Sequence, residues 1–160
     1  FLLSLVGHEL TGKDAEEALG SAQGAYQLAL DWAEKREQFG RPINEFQGLQ
    51  WKLADMSIKL SASQALVYNA ARSGESGFPD MLMAAQAKVF TSESAIQVVN
   101  EALQFFGARG YSRELPLERM ARDVRMFTIG GGTAEVLRNV VAGALLKKKL
   151  PQTRDGWGKE

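Results

Sequence analysis

Apolar residues return at steps of three and four along most of the chain, the spacing that puts them on one face of an α-helix. The first stripe is Ala15, Ala18, Leu19, Ala22, Ala25, Tyr26, Ala29, Leu30 and Ala33. It predicts a helix from Asp14 to about Gln38, with Asp14 and Glu17 as an N-terminal capping pair and Gly40-Arg41-Pro42 as the stop. Its alanine content lets a neighbouring helix approach closely. The second stripe, Phe46, Leu49, Leu53, Met56, Leu60, Ser63, Val67 and Ala70, alternates its steps as a long bundle helix does. Asn44 can cap this helix, which ends near Gly74. The run Ser73-Gly74-Glu75-Ser76-Gly77 is turn-forming, and Pro79 suits the first position of a third helix from about Asp80 to Phe106.

After Gly107-Ala108-Arg109-Gly110-Tyr111 comes a shorter, arginine-rich helix from Leu117 to Phe127, with Pro116 at its start. Arg113, Arg119, Arg122 and Arg125 alternate there with Glu114, Glu118 and Asp123, a pattern of intrahelical ion pairs before one of nucleic-acid binding. Gly130-Gly131-Gly132-Thr133 leads into a last helix, Ala134 to Lys149. Thr133 is its cap, and Lys147, Lys148 and Lys149 stand at the negative end of its dipole. No strand alternation and no long-period repeat is visible. The expected fold class is all-α: an antiparallel up-and-down four-helix bundle with an additional short helix. Residues 1–12 are expected to be a stub continuing from a preceding domain, 13–150 the helical domain, and 151–160 a flexible tail.

A length of 160 residues suits one domain with a sizeable core. Nineteen basic and nineteen acidic residues leave no net field to attract nucleic acid or an anionic membrane, so an anionic ligand must be held by local geometry. The absence of cysteine excludes disulfides, cysteine-ligated metals and a cysteine nucleophile. His8 is the sole histidine, so a histidine metal site or an internal serine triad would have to be built around that one residue, and no metal site is expected. The apolar opening, Phe1 to Val6, is too short to span a bilayer and has no basic region before it. Because the chain opens without Met, it is expected to be a piece of something longer.

Three motifs carry candidate chemistry. Arg36-Glu37-Gln38-Phe39-Gly40 places a planar cation and an aromatic ring at a helix end, which suits a pyrophosphate; Arg36 and Lys35 can equally complement the helix dipole, with Gly40 as C-cap. Gln104 to Tyr111 offers glycines for close backbone approach and an amide at Gln104, although a helix end with Phe105 and Phe106 in the core accounts for much of it. Ile129 to Val136 is a glycine run entering a helix whose free amides favour an electron-rich ligand, or else a plain loop with a Thr cap. It is not a phosphate-binding loop of the Walker type, since no lysine follows the glycines at the required place.

Together, Arg36-x-x-Phe39-Gly40, Phe46-Gln47, Gln104-x-x-Gly107, Arg122-Asp123 and Gly132-Thr133-Ala134-Glu135-Val136 resemble the C-terminal helical domain of the acyl-CoA dehydrogenase family, over about Ala15 to Leu150. The resemblance implies an FAD-dependent α,β-dehydrogenation of an acyl-CoA thioester, with an electron-transferring flavoprotein as acceptor. It implies that Arg36, Phe39, Gln47, Gln104 and Gly107 contact the adenine and pyrophosphate half of an FAD bound mainly by a neighbouring subunit. Gly132, Thr133 and Glu135 would lie near a flavin of the same subunit. A homo-oligomer or heteromeric dehydrogenase complex follows, in the cytoplasm, or in the mitochondrial matrix if the source is eukaryotic.

The match departs from the family at its catalytic base. Gly131 stands where the family glutamate precedes Gly-Thr, and Leu10, followed by Thr11, stands at the alternative position on the first helix. Glu9 is one residue away, a helical rotation of about 100°. The catalytic residue is therefore left unassigned. Ala108 replaces a second glycine of the family. The other two domains of the family do not lie in this sequence, so the chain alone is expected to be inactive. Two alternatives stay open: a non-catalytic subunit or fragment that completes a partner's flavin site, and an acyl-CoA oxidase-like flavoprotein.

Overall fold

The computed structural model describes residues 2–74, 79–148 and 150, with residues 2–11 as backbone. The elements are α1 (Leu2–Lys35), β1 (Glu37–Gln38), β2 (Arg41–Pro42), a 3₁₀ turn (Ile43–Glu45), α2 (Gln47–Arg72), α3 (Met81–Phe106), α4 (Ala108–Tyr111), α5 (Leu117–Met126) and α6 (Ala134–Leu146). Among the described residues no helix is long and apolar enough to cross a membrane.

Helix α3 is the axis of the molecule. It packs against α1, α2, α5 and α6, and its buried residues, including Ala84, Ala85, Lys88, Ser92, Ala95, Val98, Val99 and Ala102, surround the helix instead of forming one stripe. Cross-helix contacts give the directions. Asp14 near the start of α1 meets Lys88 of α3, and Trp32 near its end meets the Phe105 carbonyl, so α1 and α3 run parallel. Lys52 at the start of α2 pairs with Glu101 near the end of α3, so α2 runs back. Helix α5 returns from the α4 end to the loop that Lys88 holds, completing up, down, up, down. Helix α6 is the additional helix, tied to α3 by Arg138 and Glu93 at 2.7 Å. The all-α bundle is thus the observed architecture.

Both apolar stripes face inward. Ala15, Ala18, Ala22, Ala25, Ala29 and Ala33 are each no more than 1% exposed, while Tyr26 and Leu30 are half-buried at the margin. Met56, Leu60, Ser63 and Ala70 of α2 are buried, and Phe46, Leu49, Leu53 and Val67 pack on the core from its edge. Methyl-sized side chains along α1 allow its backbone to lie close against α3.

Several helix ends differ from the sequence expectation. Helix α1 starts at Leu2 and passes through residue 12 without a break, because Gly7 and Gly12 weaken a helix by only about 1 kcal/mol each. Asp14 is therefore not a cap; it lies within the helix and binds Lys88. Helix α1 stops at Lys35, not Gln38, because the next residues form a hairpin with Glu37 opposite Pro42 and Gln38 opposite Arg41. Gly40 is a hairpin-turn residue and not a helix C-cap. Strands of two residues are too short to show alternation.

Asn44 does not cap α2, and the Asn44–Gln47 pairing is not formed. The helix starts after Phe46 with no side-chain cap, and the Asn44 carbonyl accepts from Gln50 Nε2 at 2.9 Å. Asp80 caps α3 through Met83 N at 2.9 Å, so Pro79 precedes the cap. Ser73 joins the two helix ends, donating to the Ala70 carbonyl at 2.6 Å and accepting from Asp80 N at 2.8 Å. The expected Thr133 cap is present, with Val136 N at 3.2 Å. The last helix ends at Leu146, where Lys147 is left-handed with φ 52°. Arg122–Glu118 at 3.0 Å and Arg119–Asp123 at 3.9 Å are the anticipated intrahelical pairs. The expected tail, 151–160, lies outside the described residues.

The alanine stripe generates a direct test: Ala25→Leu inserts a branched side chain where none fits and costs about 1–3 kcal/mol in urea unfolding. A variant as stable as the parent refutes close packing at Ala25.

Candidate functional site

Because α1 and α3 run parallel, their C-terminal ends lie side by side, and a groove of about 400 Å³ forms there. Its walls include Trp32 and Arg36 from the end of α1, and Gln104, Phe106, Gly107 and Arg109 from the end of α3 and from α4. Trp32 fixes the junction: its Nε1 donates to the Phe105 carbonyl at 3.1 Å, and its ring stacks on Phe106 at 4.8 Å. The Arg109 guanidinium lies 5.1 Å from the Trp32 ring, a cation–π contact that brings a second positive charge to the groove beside Arg36.

Gly107 has φ 57° and ψ −134°, a conformation confined essentially to glycine, and it turns the chain from α3 into α4. Ala108 opens α4 with a negative φ, so no glycine is needed there for backbone conformation. Gly110 is packed so tightly that an added Cβ would stand 2.5 Å from the Leu103 carbonyl oxygen.

The hairpin beside the groove holds Phe39 in an unusual state. Its φ is 53° and that of Gly40 is 78°, as a two-residue hairpin loop with both residues left-handed requires. An aromatic residue in that region costs roughly 1–2 kcal/mol. The Phe39 ring is 92% exposed, touching Phe46 edge-on at 6.2 Å. Arg41 covers Phe46 at 4.2 Å from the ring centre. Gln47 is exposed at the first position of α2, next to Phe46.

The glycine loop lies at the opposite end of α3, since Lys88, which holds it, precedes Gln104 by a helical rise of roughly 24 Å. Lys88 Nζ donates to Asp14 Oδ2 at 2.7 Å, to the Gly132 carbonyl at 3.2 Å and to the Gly130 carbonyl. Gly131 and Gly132 are both left-handed, with φ 62° and 100°. Thr133 then caps α6, leaving the first-turn amides of that helix beside the loop.

The eight candidate ligand-contacting residues therefore separate into two groups. Arg36, Gln104 and Gly107 share the groove, with Phe39 and Gln47 on the hairpin side of it; Gly132, Thr133 and Glu135 stand at the far end. The separation is too great for both groups to touch the same half of one dinucleotide. The donor set of the groove, two guanidinium groups, an amide and a glycine-exposed backbone, fits a pyrophosphate with an attached nucleoside. Trp32 and Lys88 were missed in the sequence. Lys88 carried a signal: it falls at a core position of α3, between Ala84 and Thr91.

Glu135 lies in the first turn of α6, where its own backbone N–H, then the Thr133 hydroxyl, and more weakly Arg138 and Arg125 hold its carboxyl below the ordinary value of 4.5. A depressed carboxylate contributes stability above its unfolded pKa and loses it as pH falls through the folded one. Glu135→Gln should thus lower the Tm at pH 7, and the gap to the parent should close below pH 4.5; a gap independent of pH contradicts this assignment.

Comparison with known proteins identifies the family of this fold. The family model described as acyl-CoA dehydrogenase, C-terminal domain, matches residues 15–146. A 3-sulfinopropanoyl-CoA desulfinase of Paraburkholderia xenovorans is 65% identical over 88% of this chain and 36% of its own length. Butyryl-CoA dehydrogenase of Megasphaera elsdenii superposes with a TM-score of 0.82 at 42% identity, over 85% of this chain and 36% of that one. A chain from a structure of the electron transferring flavoprotein of Acidaminococcus fermentans gives 0.83 at 42% identity, over 86% and 36%. The chain spans about a third of the length of the curated relatives it matches, 36% in the first case. With the family model matching residues 15–146, most of its length, the chain belongs to the acyl-CoA dehydrogenase family, as a C-terminal domain.

Proposed function

We propose that the chain is the FAD-contacting and oligomer-forming domain of a flavoprotein acting on acyl-CoA thioesters. The observation that carries this reading is the convergence of Arg36, Gln104 and Gly107 on one groove between two parallel helix ends. Arg36 and Arg109 offset the charge of a pyrophosphate, Gln104 donates and accepts at the nucleoside, and Gly107 admits the ligand close to the backbone. The exposed Phe39 ring covers the adenine of an FAD held mainly by a neighbouring subunit. At the far end, Gly132, Thr133 and Glu135 face a flavin of the same subunit. FAD, when bound, supplies a hydride acceptor. Exposed Trp51, Ile58, Leu145 and Leu146 support burial of these faces in an oligomer or under further domains.

The reaction itself has two readings. One is α,β-dehydrogenation of an acyl-CoA, with electrons passed to an electron-transferring flavoprotein. The other is removal of a sulfinate group from an acyl-CoA, as the name of the 65% identical relative states for that protein. Gly131 favours the second, because residue 131 carries no carboxylate to take an α proton and the neighbouring Asp14 carboxylate is held in an ion pair by Lys88. Full-length protein with FAD, given butyryl-CoA or 3-sulfinopropanoyl-CoA, separates them. Flavin bleaching by butyryl-CoA supports dehydrogenation, and accompanying peroxide formation an oxidase. Sulfite release without net bleaching supports the desulfinase reading. Neither outcome leaves a non-catalytic subunit. The chain alone should do none of these.

Arg36→Ala removes a charge-assisted contact worth about 1.5–3 kcal/mol, so the full-length protein should bind FAD roughly 10-fold or more weakly. Flavin fluorescence titration measures this; an unchanged Kd removes Arg36 from the cofactor site.

A further inference from the structure

Lys88 is buried to 1% exposure inside the bundle, and neither reading of the reaction uses it. Its three ammonium protons meet three oxygens from two other parts of the chain: Asp14 of α1, and the Gly130 and Gly132 carbonyls of the loop between α5 and α6. Such saturation is the condition under which a buried cation is tolerated. Between the two carbonyls lies Gly131. A Cβ added there would overlap Asp14 Oδ2 and stand 2.7 Å from Lys88 Nζ, and the φ of +62° is itself unfavourable to a side chain.

We propose that Asp14 and Lys88 are positioning residues that fix the glycine loop and fill the space at residue 131, so that the loop offers backbone only. Any side chain at 131, a carboxylic acid included, is excluded for as long as Asp14 occupies that volume. The bearing of this lock on chemistry rests on the loop facing a flavin, as proposed above; the steric coupling between positions 14 and 131 does not. Two obstacles at Gly131 are thereby distinguished. The backbone cost of a side chain at positive φ is the same whatever stands at position 14, while shortening Asp14 removes the closest overlap and leaves only Lys88 Nζ, the far end of a flexible side chain, to give way.

The test is a set of variants in the full-length protein with its bound flavin. Gly131→Ala should lower the Tm by about 4 °C in the parent background and in Asp14→Asn, which keeps the volume, but by half that or less in Asp14→Ala. Where Asp14→Ala fails to fold because Lys88 is left unpaired, Asp14→Ala/Lys88→Met is the background. Gly131→Glu should follow the same order. Equal losses in all backgrounds overturn the proposal. Amide hydrogen exchange gives a second readout: Lys88→Met should speed exchange at Gly132 and Ala134 while leaving α2 unchanged, and exchange unaltered at the loop also overturns it. Visible circular dichroism of the flavin separates the two layers. Tm coupling with an unaltered flavin signal upholds the lock and counts against the placement of the loop beside the flavin.

Discussion

One ammonium group inside the bundle holds three parts of the chain together. A lysine in that position, unpaired, would cost several kcal/mol, so the stability of the fold depends on having its oxygens in place. Asp14 must come from α1, which requires the helix to be formed already at the residue before its apolar stripe begins at Ala15. The two carbonyls must come from the loop, which requires left-handed residues at Gly131 and Gly132 and an immediate restart of helix at Thr133. The same contact thereby sets where α1 lies along α3, and with it the alignment of their other ends.

At those other ends the tie is aromatic. Trp32 gives a hydrogen bond to the Phe105 carbonyl and a stacked face to Phe106, so the last turns of α1 and α3 cannot slide independently. The groove between them has its walls fixed by these contacts and carries the guanidinium groups of Arg36 and Arg109, the latter over the Trp32 ring: the scaffold sets position while the long side chains supply the charge.

Periodicity made the bundle legible in the sequence. Alanine at nearly every inward position of α1, with Leu19 among them, and the alternating steps of α2 specify both the helices and their buried faces, because burial of a continuous stripe outweighs most local preferences. Helix ends were less legible, since they depend on partners distant in sequence. Asp14 has the composition of a cap but serves Lys88, and Asn44 has the composition of a cap but lends only its carbonyl. The hairpin at Phe39 went unread because two-residue strands carry no pattern. Among the candidate site residues, the motif spacing brought out Arg36, Gln104 and Gly107, whose groove is evident only once helix direction is known. Trp32 and Lys88 stayed hidden for opposite reasons: a tryptophan on an amphipathic helix draws no notice, and a lysine in a core stripe is easily taken as a gap in it.

The parallel course of α1 and α3 has an electrostatic consequence. Both helices present their carbonyl ends to the groove, so two macrodipoles place partial negative charge at its floor. An anion arriving there would be repelled by the scaffold alone. Arg36 and Arg109 reverse that field, and because their guanidinium groups sit on long flexible stems at the rim, the groove's affinity for anions depends on two side chains, while its shape depends on the bundle.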